Sequence, residues 1–138
     1  MPVIISRRLP EVARPLVLLR YRTGRGLENL AAGLAKELPG LVAPSLTFSE
    51  RERHEVWVAT EDITVHCVEG TEADVNAEDL EIIVWAHDFL ERKVNLEERK
   101  DAIVDGVRKF LQDHSHDVPG YVSGFVWILL QPTAFGQL

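Results

Sequence analysis

The chain has 138 residues, 46% of them hydrophobic, one cysteine, and a formal charge of -7 from 15 Lys and Arg against 22 Asp and Glu. That size and apolar content suffice for one domain folded by packing alone, and a single thiol can build neither an internal disulfide nor a Cys-rich zinc site. The acidic surplus disfavours a nucleic-acid partner, no run approaches the ~18 apolar residues of a membrane span, and the lone cysteine suits a reducing cytoplasm.

The chain opens MPVIIS. Met1 is readily removed before a residue as small as proline, so Pro2 is expected to present a free secondary amine. Residues 1–14 read as an N-terminal extension. From Leu16 the run LVLLRYR predicts a strand that stops at the turn TGRG. Leu27, Leu30, Ala31, Leu34, Ala35 and Leu38 then recur at helical spacing, and Pro39-Gly40 is expected to end that helix. A looser stretch, GLVAPSLTFSERER, leads to HEVWVAT and ITVHCVEG, two alternating segments about a Glu61-Asp62 turn that predict half-buried strands. Cys67, within the second, reads as a packing residue. These elements make up a first half, 15–68.

The acidic run of 69–79 has neither periodicity and reads as a solvated linker. In the second half, 80–138, LEIIVWA predicts an apolar strand and HDFLERKV a polar connection. Asn95, with Glu98 three residues on, resembles a capping box opening a helix to about Gln112. Leu96, Ile103, Val104, Val107, Phe110 and Leu111 share one face of that helix. The last strand, GFVWILLQ, is apolar throughout, which predicts a central place in a sheet covered on both faces.

The predicted fold is therefore α/β (α+β): two β-α-β units whose two helices pack on one face of a mixed sheet. A ferredoxin-like sandwich accepts the same order. The segment PLVLLRYRTGRGLENLAAGLAKEL, with its strand, GR-containing turn and helix, resembles the opening unit of the tautomerase superfamily, the family of 4-oxalocrotonate tautomerase and macrophage migration inhibitory factor. The unit LEIIVWAHDFLERKVNLEERKDAIVDGVRKFL, with its closing FVWILLQPTAFG, is most similar to uncharacterised bacterial members. The resemblance implies a homotrimer with sites near subunit boundaries. It also implies a cofactor-free tautomerase or isomerase, in which the amine of an N-terminal proline moves a proton on a small enol or keto carboxylic acid.

A buried amine beside cations has its charged form disfavoured and becomes a usable base near neutrality. Pro15, which begins the matching strand, has its nitrogen locked in a peptide bond, so the catalytic role falls to Pro2. Either residues 2–14 form a strand that folds back to the site, or they are an inert extension on a catalytically silent trimeric binding or assembly protein. Arg20 and Arg22 are the candidate holders of the substrate carboxylate, next to Arg25 in the turn, and Phe135 is the candidate pocket aromatic. Arg7 and Arg8 enter only if the extension lines the pocket. Trp57, Trp85 and Trp127 read as core or interface packing. His114 and His116 read as dipole-complementing residues at a helix end, so no metal is expected. His87-Asp88 follows a strand end, but no serine-nucleophile or phosphate-loop motif accompanies it.

Overall fold

The computed structural model describes residues 5–10, 13–51, 54–117, 120–134, 136 and 138. In chain order the elements are β1 (Ile5–Arg8), β2 (Leu16–Tyr21), α1 (Glu28–Leu46), β3 (Phe48–Arg51), β4 (His54–Trp57), a 3-10 turn (Thr60–Asp62), β5 (Thr64–Glu69), β6 (Leu80–His87), α2 (Leu90–Val94), α3 (Leu96–Asp113), a second 3-10 turn (Ser115–Asp117) and β7 (Gly124–Gln131). Four strands form the main sheet in the order β5-β2-β6-β7. β2 and β5 run parallel, as do β6 and β7, and the two pairs meet antiparallel between β2 and β6. Each parallel pair needs a crossover, and α1 and α3 supply them. This is the mixed α+β arrangement expected from the repeated strand-then-helix pattern.

The helix side of the sheet follows the strand period of two. Val17 and Leu19 on β2, Leu80, Ile82, Val84 and Ala86 on β6, and Ile128 on β7 are buried in one cluster with Leu30, Leu34 and Leu38 of α1 and Ile103 and Val107 of α3. The TGRG turn feeding α1 carries Gly24 at φ +79° and Gly26 at φ +67°, where a Cβ would be strained.

Three expectations are corrected. First, α1 does not end at Pro39-Gly40 but continues through Pro39 and Pro44 to Leu46. Leu34, Leu38, Val42 and Leu46 repeat every fourth residue and are all fully buried. Burial of each such side chain contributes ~1.5–3 kcal/mol, which offsets the ~3 kcal/mol that an interior proline costs. Second, β7 is an edge strand rather than a central one. Its apolar residues face α3 on one side and an uncovered face on the other. Third, ITVHCVEG is not a half-buried strand: β5 is exposed at every position but Val65, as the edge strand beside β2, while β4 of HEVWVAT belongs to a separate three-stranded sheet, β1-β4-β3.

Smaller departures follow from long-range contacts. Asn95 makes no side-chain capping bond to the backbone of α3, and its Oδ1 instead accepts from Arg99 Nε at 2.7 Å. Cys67 lies in register with Leu19 on the helix side of edge strand β5, yet it is exposed and not a packing residue. The acidic connection is tied at both ends. Asp74 accepts from Arg20 and from Thr71 N, and Asp79, 6% exposed, accepts from the N–H of Ser123 at 3.0 Å while Arg25 approaches at 3.4 Å.

Candidate functional site: the open sheet face

Residues that alternate with the buried set point away from the helices, and the strand register places them in three rows. Thr64, Leu16, Trp85 and Leu129 form one row, and His66, Leu18, Ile83 and Trp127 the next. The third row contains Val68, Arg20, Glu81 and Phe125. No described residue of the chain forms a second layer over these rows. Leu16, Val68 and Trp127 are 39%, 45% and 55% exposed, and the edge of Phe125 meets Trp127 with ring centroids 5.9 Å apart. An apolar band this continuous is unusual on a solvated surface. Its charges sit at one end, where Arg20 and Glu81 lie directly opposite each other on adjacent strands. The ionisable side chains in its three rows are His66, Arg20 and Glu81.

The N-terminal segment forms structure of its own. β1 pairs in parallel with β4, and Leu9 N continues the ladder by donating to Trp57 O at 2.9 Å. The anchor is Asp62, a buried carboxylate. Arg8 donates to it twice, at 3.1 and 2.8 Å, Arg14 Nε lies 3.3 Å away, and Ala59 N donates at 3.3 Å. The hydrogen bonds from Arg8 hold the Asp62 carboxyl below the usual carboxylate range against the opposing effect of burial. Arg7 pairs with Glu50, and Arg8 lies 5.9 Å from the ring of Trp57. Leu9 and Ala13 enter the core.

Of the sequence-nominated residues, Pro2 and Phe135 lie outside the described residues. Arg20 is on the open face, paired with Asp74. Arg22 is exposed just beyond β2 and lines a small recess with Thr23, Thr71, Glu72 and Asp74. Both arginines lie at the C-terminal end of β2, roughly 17 Å or more along the strand from Pro15. Asp62, which anchors the arm, sits by the opposite end, where Leu16 pairs with Thr64. The structure thus does not bring the arm's anchor and these arginines together. His114 stacks on Phe110 and shares a hydrogen bond with its carbonyl oxygen, closing α3, while His116 is exposed in the second 3-10 turn. Among the described residues no three His, Cys, Asp or Glu side chains gather as a metal set. Trp85 and Trp127 belong to the open face, and Trp57 lies on β4.

Three buried charges escaped the sequence reading: Asp79, at the end of the stretch read as a solvated linker, Asp62 and Arg92. Asp62 sat in an ordinary turn motif, with no local signal that arginines far upstream would reach it. Arg92 sat in the polar string HDFLERKV, yet it is fully buried. Its one local hint was Phe89, three residues before it. A groove of about 800 Å³ also runs between α3 and β7, with Val104, Leu111 and Val126 along it and Lys100 and Arg108 among the polar residues lining it.

No protein-family model matches the chain, and no curated protein matches it significantly in sequence. Among the described residues no helix is long and apolar enough to cross a membrane.

Proposed function

We propose that this protein is a tautomerase-like assembly or binding protein that works as a homotrimer, with the open sheet faces buried between copies. The observation that carries the reading is the three-row apolar face. One helical layer covers only one side of the sheet, and a second copy of the chain presents a face of the same apolar character to the other. Two parallel β-α-β pairs meeting antiparallel support the resemblance, and the threefold number follows from it. The arm supports a non-catalytic role, because its described residues contribute a strand, Ile5–Arg8, the core side chains of Leu9 and Ala13, and two half-exposed arginines that pair with the buried Asp62 carboxylate. A reducing cytoplasm is the setting proposed for it, with its exposed thiol. Light scattering at micromolar concentration should give three chain masses. A stable monomer would remove the reading.

A second reading is favoured by the same arm, since β1 (Ile5–Arg8) pairs with β4 and Pro2 lies three residues before it in the sequence. In this reading Pro2, freed of Met1, is the general base of a cofactor-independent tautomerase acting on a small enol or keto acid. Arg20 or Arg22 binds the carboxylate, and Phe135 shapes the pocket. The mature protein should then ketonise phenylenolpyruvate, and an N-terminal tag should abolish that activity. Activity unchanged by the tag would exclude the amine. No activity in the mature protein leaves the assembly reading in place.

A further inference from the structure

Three ionisable side chains lie in the rows of the open face: Arg20 and Glu81, directly opposite each other on adjacent strands, and His66. Arg20 is also paired with Asp74. His66 occupies the middle row, in register with Leu18, with Ile83 and Trp127 beyond on β6 and β7. Thr64 and Val68 flank it on β5 and point to the same side. The residue is exposed, and its side chain has no hydrogen bond, ion pair or ring contact among the described residues.

The charges around His66 leave a proton there without an acid to meet. The nearest on β2 is Arg20, a cation one row away. Asp74, in the connection that follows β5, is turned to Arg20 and to Thr71 N. Glu81 lies on β6, about 10 Å from β5 across the sheet. Glu69, on β5 itself, alternates to the helix side, where it accepts from Thr23 and where α1 packs. Of the other histidines, His87 also points to the open side of β6, but past the first row, with its Nε2 3.8 Å from Asp88. His54 is on β4, and His114 and His116 follow α3.

We propose that His66 makes the assembly pH-sensitive: neutral imidazoles are buried where copies meet, and protonated ones drive the copies apart. The proposal rests on the assembly reading above, in which the three rows lie between copies. An imidazole changes its charge between about pH 8 and 5, a range in which ordinary carboxylates and guanidiniums keep theirs. In a separate chain the exposed ring is hydrated in either form. Enclosed beside Leu18 and Ile83, the cation loses that hydration, finds no carboxylate, and has Arg20 one row away. The assembled chains therefore bind fewer protons than separate ones, so assembly strengthens as pH rises through the imidazole range and weakens as it falls. Asp62 and Asp74 titrate below the usual carboxylate range, so the ion pairs of the fold itself persist across this window.

The test is sedimentation velocity of the full chain over a concentration series at about pH 8 and about pH 5.5, at constant ionic strength, with circular dichroism as the control for folding. The concentration at which half the chains are assembled is expected to rise about ten-fold or more at the lower pH while the fold is unchanged. His66→Gln, which keeps a polar side chain that does not titrate, should lose the difference between the two pH values. If glutamine weakens assembly beyond the concentrations reached, His66→Leu, which suits the apolar row, serves the same comparison. Equal assembly of the parent chain at both pH values, or a pH difference that the variant retains, would overturn the switch and leave the assembly reading in place. A parent chain that is monomeric at about pH 8 would overturn both.

Discussion

The two faces of the main sheet are built from the same four strands and differ in what covers them. On the helix side Val17, Leu19, Ile82 and Val84 are at most 1% exposed. On the other, Leu16, Leu18, Trp85 and Trp127 alternate with them, and no described residue forms a layer above them. Both faces are apolar, yet only one is packed within the chain. The helix-side face therefore specifies the chain's own fold, and the open face is the surface through which the proposed assembly would form.

The largest effect should come from the covered side. Leu34→Ala removes a fully buried side chain between α1 and the sheet and is expected to lower unfolding free energy by ~2–5 kcal/mol in urea melts. A loss well under ~1 kcal/mol would mean that this face is not close-packed.

The next effect concerns the arm. Asp62→Asn keeps the volume but loses the charge that Arg8 and Arg14 converge on, and is expected to cost ~1–3 kcal/mol. Asp62 has a folded pKa below its unfolded value of about 4. Its contribution is thus fully present above pH ~4 and is lost as pH falls through the depressed folded value. Asp74 is depressed as well, first through the hydrogen bond from Thr71 N, so the variant should flatten the acid limb of the stability curve without removing it. An acid limb identical to that of the parent chain would show that the Asp62 anchor does not hold in solution.

The smallest effect on the chain itself should come from the open face. Trp127→Ser, measured at a concentration where copies are apart, should change unfolding free energy by no more than ~0.5 kcal/mol. A much larger loss would place Trp127 in the monomer's core and erase the distinction between the two faces.

The same distinction explains which elements were legible in the sequence. β2 and β6 were readable because a run of apolar residues bounded by turn residues has few other solutions. Their neighbours were not, since GFVWILLQ has the same composition whether its second face meets a helix or another subunit. α1 was readable to Leu38. Beyond it, two prolines gave a local stop signal that burial of Val42 and Leu46 overrides. β1 was open to two readings because ISRR has no strand period and gains its partners from β4 and Asp62, about fifty residues away in sequence. The candidate interface was visible only as excess apolarity. Arg92 was hidden, because it is an ordinary surface residue by composition and is buried only where α2 brings its guanidinium to Leu46 O at the end of α1.

The most direct test of the account is the mass in solution of Trp127→Asp beside the parent chain, by sedimentation velocity at equal micromolar concentration, with melting curves as the control for folding. Burying an unpaired carboxylate between copies is costly, whereas the same residue on a free monomer surface is tolerated. The account predicts a trimeric parent and a folded, monomeric variant with nearly unchanged chain stability. A monomeric parent, or a variant that remains trimeric, would contradict the claim that the open face is where the copies meet.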